Sequence, residues 1–390
     1  MRRSGPLGLP SAVWWSAWTF VGLVGFSRVS FGLLLPFVKH DFPGTYSLYG
    51  LVAAANFAGY LVALIAMMFV PPAWQRRRVN TVALVFIALT LAASGLAPEL
   101  RSLAAARFVN GLAQGVATML TIGLALSVVP PALRGRASGI LWGGGGVGIA
   151  LSGAVLPIAA AHAGGWRVIW VAMAVVAAIG IVGLHRALPE RTVTQATAAS
   201  TRSDRVALVI LAAQYTLFGL AFASYFTYAP AYAHALLASA LALAIAWVLL
   251  GCASAVGSDL WGRALDRSRR GATLALCMAL GGVGALSLVW GGLVGAIVSA
   301  VLVGSSSVGG PAQTSALTRR YAGANEYVRA LSVITTSFAV GQTLGAPVGG
   351  VIADASGLAG AIVFSAAIFF AGALAAWPIV TRARRAAASV

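Results

Sequence analysis

Two arginines stand where their neighbours offer a charge no partner. Arg28 lies inside the apolar run 12–38 and Arg107 inside the run 101–126. At a rise of 1.5 Å per helical residue, Arg28 is roughly 15 Å and Arg107 roughly 10 Å from the nearer end of its run. A charge that deep in a bilayer costs about 2.5–3.5 kcal/mol even on the lenient insertion scale, so each needs a partner or a wet cavity. The eight acids, Asp41, Glu99, Glu190, Asp204, Asp259, Asp266, Glu326 and Asp354, all fall between apolar runs or near their ends. A guanidinium is a planar fork of donors that fits a carboxylate, so two deep cations without a deep acid point to an anionic solute. Two structural roles compete with that assignment. Arg107 can bond backbone carbonyls of the first run, and Arg28 can reach toward Asp41 or Asp354.

Further polar residues recur at helical spacing. Asn110, Gln114, Thr118 and Thr121 share one face with Arg107, and Asn56 and Tyr60 stand four apart. Such a stripe either lines a cavity or bonds a neighbouring helix. Gln214, Tyr215, Tyr225, Thr227 and Tyr228 precede Pro230, and Ser305, Ser306, Ser307 and Gln313 surround Gly309-Gly310-Pro311, where a broken or bent helix is expected. Gln342 and Thr343 follow in a later run. The expected solute contacts are Arg28, Asn56, Tyr60, Arg107, Asn110, Gln114, Tyr225, Tyr228, Gln313 and Gln342; the two tyrosines serve equally well as interfacial anchors.

Other chemistries are excluded by their missing parts. Gly143-x-Gly145-x-x-Gly148 matches G-x-G-x-x-G in form, but no strand precedes it and no acid follows about 20 residues on. His40, His162, His185 and His234 lie at run ends without metal spacing. No convergent acid, base or metal set emerges, so neither an enzyme nor a cofactor is expected. Cys252 and Cys277 lie in apolar runs and are expected to stay unpaired.

The elements that must hold these residues are legible from composition. Of 390 residues, 60% are hydrophobic and 9% charged, with mean hydropathy +0.91. A soluble chain carries about 25% charged residues, so the bilayer is the partner this composition fits. Twelve runs are long enough to span, at about 20 residues each: 12–38, 47–70, 79–97, 101–126, 137–161, 166–185, 206–232, 236–258, 271–290, 292–317, 329–353 and 358–380. With the N-terminus inside, the cytoplasmic segments hold 21 of the 26 Lys and Arg residues, while the outer loops hold Lys39, Arg101 and Arg167. That asymmetry obeys the positive-inside rule at every loop and places both termini in the cytoplasm. The basic clusters form no continuous face interleaved with aromatics, which excludes nucleic acid as a partner. The first run closes on no cleavage motif and reads as an uncleaved helix.

Residues 186–205, rich in Thr, Ser and Ala, read as a cytoplasmic linker between six-helix bundles at 1–185 and 206–390. Gly22, Gly144, Gly148 and Gly153 recur as Gly219, Gly341, Gly345 and Gly350 at one offset of 197. Two halves in the same orientation are the parallel-repeat arrangement of many transporters.

These features resemble the major facilitator superfamily over essentially the whole chain. Gly262-Arg263-Ala264-Leu265-Asp266-Arg267-Ser268-Arg269-Arg270 is similar to its cytoplasmic-loop signature G-x-x-x-D-R-x-x-R, of which the first half keeps only Arg76-Arg77-Arg78. Arg107 and Gly111 resemble its R-x-x-x-G signature. Gly341, Gly345 and Pro347 resemble its glycine-proline signature, whereas the first half lacks a proline two residues after Gly148. Arg28, Gly32, Leu34, Leu35 and Pro36, with Asn56, Gly59, Tyr60 and Leu61, resemble the YbfB/YjiJ-like group.

The resemblance implies an all-α membrane protein of twelve helices in two pseudo-symmetric bundles. It also implies gating roles for Gly262, Asp266, Arg267, Arg270, Gly341, Gly345 and Pro347. The expected function is secondary active or facilitative transport of a small solute, an organic anion by its arginines, across an inner membrane by alternating access. Efflux of amphipathic compounds, or a non-transporting membrane sensor, are the alternatives. The expected partners are the solute, the bilayer and a proton or counter-ion, and the protein is expected to be a monomer.

Overall fold

In lipid no water is available to the backbone, so a spanning segment satisfies its N–H and C=O groups internally, as a helix. The computed structural model describes residues 8–71, 74, 76–130, 133–160, 165–188, 190, 203–268, 272–322 and 326–388. Ten helices come first: α1 Ser11–Asp41, α2 Tyr46–Met67, α3 Arg77–Gly95, α4 Leu100–Ser127, α5 Arg134–Ala159, α6 Gly165–Ala187, α7 Arg205–Leu237, α8 Ala240–Ser268, α9 Ala272–Trp290 and α10 Gly292–Tyr321. A final stretch, Tyr327–Ala388, runs for 62 residues. At 1.5 Å per residue it would extend roughly 90 Å, about three bilayer cores. Gly357 breaks it with φ 79° and ψ 171°, an angle pair open to glycine and closed to L side chains. The break separates α11 (327–356) from α12 (358–388), which makes twelve helices among the described residues.

The twelve form two pseudo-symmetric six-helix bundles. In the first, α1 packs on α5 and α6, α2 on α4, and α3 on α4 and α6; in the second, α7 packs on α11 and α12, α8 on α10, and α9 on α10 and α12. Glycines set the closest approaches. A Cβ at Gly111 would overlap the Asn56 carbonyl, and one at Gly59 the Phe108 carbonyl, so the paired motifs of α2 and α4 seat each other's backbones. The second bundle repeats the device, with Gly341 on the Thr216 carbonyl and Gly219 on the Phe338 carbonyl. Small residues at such crossings supply the dispersion contact that holds helices together in lipid.

Three seams join the bundles: α1 with α7, α2 with α11, and α5 with α8. Near one end Gly32 of α1 abuts the Phe226 carbonyl of α7. Pro230 cannot donate to that carbonyl, which leaves it open to the close approach. Along α5–α8 the contact loosens steadily. Gly153 meets Trp247 and Gly146 meets Ala255, a Cβ at Gly143 would lie 3.7 Å from the Ala255 carbonyl, and Gly139, Gly135 and Gly262 face no atom within 4 Å. The bundles therefore touch at the arginine-poor end and part toward the arginine-rich end.

Two expectations about local structure are corrected. Residues Gly262 to Ser268 lie in helix α8, not in a loop, because Arg263, Ala264, Leu265 and Arg267 are good helix formers and no proline interrupts them. Helix α10 stays continuous through Gly309-Gly310-Pro311, its Ser305, Ser306 and Ser307 hydroxyls bonding carbonyls of the helix or of α9 instead of marking a break. Most of the expected linker, and Arg270, lie outside the described residues.

Candidate functional site

The site begins with an irregularity in α1. Residues Val21–Val29 wind as a π-helix, with Arg28 in the last turn. Such segments shift carbonyls out of the ordinary ladder and cluster at functional positions. The Leu23 carbonyl accepts from Gln114 Nε2, and the Ser27 carbonyl accepts from Arg107 Nη1 at 2.6 Å. Arg107 is 1% exposed, with its guanidinium carbon 5.5 Å from the ring centroids of both Phe31 and Trp170.

The rest of the α4 stripe is bonded in the same way. Asn56 Nδ2 donates to Asn110 Oδ1 at 3.0 Å and to the Arg107 carbonyl at 3.2 Å; Asn110 Nδ2 donates to Thr90 Oγ1 at 2.9 Å; Thr121 Oγ1 donates to Asn80 Oδ1 at 3.1 Å. The stripe expected to line a cavity thus stitches α4 to α1, α2 and α3. A period of 3.6 puts polar groups on one face whether that face meets water or another helix, and only the packing decides between them.

A prediction follows for Arg107→Met. Loss of a charge-assisted bond, worth about 1.5–3 kcal/mol, should lower the melting temperature in detergent while the folded fraction keeps its solute affinity. An unchanged melting temperature with lost binding would return Arg107 to the solute site.

Arg28 has a different environment. It is partly exposed, its guanidinium carbon lies 4.3 Å from the Tyr60 ring centroid, and its buried Nε has no hydrogen-bond partner. Among the described residues no carboxylate pairs with it. The two acids it was expected to reach are engaged elsewhere: Asp41 accepts from Trp166 Nε1 at 2.7 Å, and Asp354 accepts from the backbone N–H groups of Tyr46 at 2.6 Å and Ser47 at 2.9 Å.

Across the seam stands an aromatic wall. Tyr215 of α7 lies within electrostatic reach of both Arg28 and Tyr60. It stacks on Phe338 of α11 at 4.6 Å and 15°, and Phe218 stacks on Phe338 at 5.8 Å. Tyr60 packs against Ala339, the residue after Phe338. A cation from one bundle thus lies within electrostatic reach of a ring from the other, and that ring is stacked on Phe338. Tyr215 stood among the polar residues of its run without being singled out, and Phe338 carried no signal at all in an apolar run.

The remaining candidates separate. Gln313 and Gln342 are fully buried, with both amide ends lacking hydrogen-bond partners, and Gln214 shares that state. Gln342 lies one turn beyond Phe338, beside the wall. Tyr225 instead bonds Ser299 Oγ at 2.6 Å, joining α7 to α10. Tyr228 donates to the Tyr46 carbonyl at 3.1 Å and the Ala346 carbonyl at 2.7 Å. With Asp354 capping the first N–H groups of α2, and Lys39 Nζ 3.6 Å above the Tyr46 ring, it forms a latch between the bundles at the arginine-poor end. Gly341 and Gly345 seat α11 on α7, and Pro347 follows the latched Ala346. Gly262 faces open space, Arg267 is exposed, and the Asp266 side chain lies outside the described residues.

Comparison with known proteins agrees with the fold. Residues 19–376 match the family described as "Uncharacterised MFS-type transporter YbfB". A chloramphenicol efflux pump of Mycobacterium tuberculosis is 32% identical over 117 residues, which is 30% of this chain and 28% of that pump. Among solved structures, the xylose transporter XylE of E. coli in a partially occluded inward-open conformation superposes with TM-score 0.75 at 14% identity, covering 94% of this chain and 97% of that one. The nucleoside transporter NupG gives 0.74 at 14% identity, covering 95% and 98%. The human organic anion transporter MFSD10 gives 0.66 at 14% identity, covering 93% and 98%.

Proposed function

The chain belongs to this family of MFS-type transporters, and from that membership we propose that it carries a small organic anion across the inner membrane, with Arg28 as the seat of the anion. One observation carries the proposal: a guanidinium at mid-span with a buried, partnerless Nε and no carboxylate beside it. Tyr60 holds the cation from one side by its ring face, an arrangement worth about 2 kcal/mol when desolvated. The fork is left for a carboxylate. The facing wall of Tyr215, Phe338 and Phe218 favours a flat apolar body over a sugar, whose hydroxyls would need more partners.

Transport then proceeds by rocking of the bodies 1–185 and 206–390, tethered by 186–205. The positive-inside distribution assigns the arginine-rich ends to the cytoplasm. On that assignment the parted seam of α5 and α8 faces inward and the Asp354 latch closes the outer face. Gly262, Asp266, Arg267 and Arg270 would close the inner end, and Gly341, Gly345 and Pro347 give α11 its close, shape-matched bearing on α7.

Uptake of labelled aromatic and aliphatic carboxylates into proteoliposomes tests this reading. Saturable uptake of aromatic carboxylates, above protein-free vesicles, is the expected result; none with any carboxylate would end it. The partial match to a chloramphenicol efflux pump supports a second reading, export of amphipathic compounds seated mainly on the aromatic wall. Chloramphenicol is uncharged, so its transport would be indifferent to Arg28→Gln.

A further inference from the structure

Every described carboxylate is committed away from Arg28. Glu99 caps α4 and Asp204 caps α7. Glu190 pairs with Arg77 at 2.8 Å and Arg78 at 3.0 Å, Asp259 pairs with Arg263, and Glu326 accepts from Ser203. Asp41 and Asp354 hold Trp166 and the start of α2. Asp266, the eighth acid, belongs to the last turns of α8, at the arginine-rich end.

The described histidines are no closer. His40 pairs with Asp41 at the end of α1, His185 bonds Thr81 Oγ1 in the last turn of α6, and His234 meets Phe37 in the last turn of α7, while His162 lies outside the described residues. The titratable groups near Arg28 are the phenols of Tyr60 and Tyr215.

A guanidinium stays protonated in proteins, so the charge on Arg28 is permanent, and no described residue neutralises it when the site is empty. An empty carrier must pass through an occluded state with that guanidinium cut off from water on both sides, at a heavy desolvation cost. A bound carboxylate cancels the charge at contact distance, so the loaded form passes with a much smaller penalty.

We propose that the protein is an obligate anion exchanger, in which the loaded form reorients quickly and the empty form hardly at all. The inference rests on Arg28 seating the anion. Each cycle moves one monoanion in and one out, so no net charge crosses and no proton is consumed or released.

The test uses full-length protein in liposomes, with labelled 4-hydroxybenzoate and the non-protonating benzenesulfonate as probes and protein-free vesicles as background. Uptake into vesicles preloaded with the same unlabelled anion should exceed uptake into buffer-filled vesicles at least about tenfold, a step of 1.4 kcal/mol. Exchange should be indifferent to a potassium–valinomycin potential, and an acid pulse outside should not drive uptake into empty vesicles. Equal, Arg28-dependent uptake into empty and loaded vesicles would overturn exchange while leaving the anion seat intact, as would uptake driven by the acid pulse. Absence of Arg28-dependent uptake in both would remove the anion seat and exchange with it.

Discussion

Arg28→Gln is expected to abolish anion transport while leaving the protein as stable as before, or more so. A carboxylate on the fork makes two charge-assisted bonds, at about 1.5–3 kcal/mol each. Their loss lowers affinity by at least about a hundredfold, at 1.4 kcal/mol per tenfold. The folded protein gains from the same change, because a mid-span cation without an acidic partner costs about 2.5 kcal/mol or more to insert. Function and stability therefore move in opposite directions, as they do where a site is held strained for its ligand. Arg28→Lys keeps the charge but loses the fork, and should fall between wild type and Arg28→Gln in affinity. Binding measured by tryptophan quenching, beside melting in detergent, checks both halves. A variant that binds carboxylates normally, or that melts well below wild type, would place Arg28 in the scaffold.

The second large effect is expected at the latch. Asp354→Ala removes the acceptor of the Tyr46 and Ser47 N–H groups, at 2.6 and 2.9 Å, and leaves only the Thr45 hydroxyl, on the Leu48 N–H, at the positive end of α2. Loss of about 3 kcal/mol from two such bonds shifts a two-state equilibrium roughly a hundredfold. The arginine-poor end should open. Spin labels at Leu48 and Val351, which are 39% and 60% exposed on α2 and α11, would report the change as a new longer-distance population. Lys39→Gln should do far less, since a half-buried cation that pairs with no carboxylate among the described residues is still screened by water and salt. Unchanged distances in Asp354→Ala would show that the glycine contacts of Gly32, Gly50 and Gly350 hold that end without the carboxylate.

The two arginines show where sequence reasoning stops. Both were visible as deep cations, and both admitted a solute or a scaffold role. Arg107 proved to be enclosed between α1 and α4, its guanidinium on the Ser27 carbonyl, because the π-wound stretch of α1 turns that carbonyl toward it. Arg28, at the end of the same stretch, points to the seam between bundles. Which neighbour each guanidinium meets is set by the packing of its helix, and no pattern of residue types encodes it. Asn110 and Gln114 illustrate the same ambiguity, since a polar stripe has one periodicity whether it is wet or bonded.

By itself the sequence determined the solvent, the number of helices and the two-bundle plan. Those follow from local quantities, run length against bilayer thickness and glycine spacing, which add up along the chain. Tertiary structure alone decided which polar groups were consumed in packing, that Tyr215 comes within electrostatic reach of Arg28, and that Asp354 reaches across more than three hundred residues to cap α2. Those depend on which faces meet. In a close-packed interior a face is chosen by the shape of every neighbour at once, and that information is spread over all twelve helices and held by no single motif.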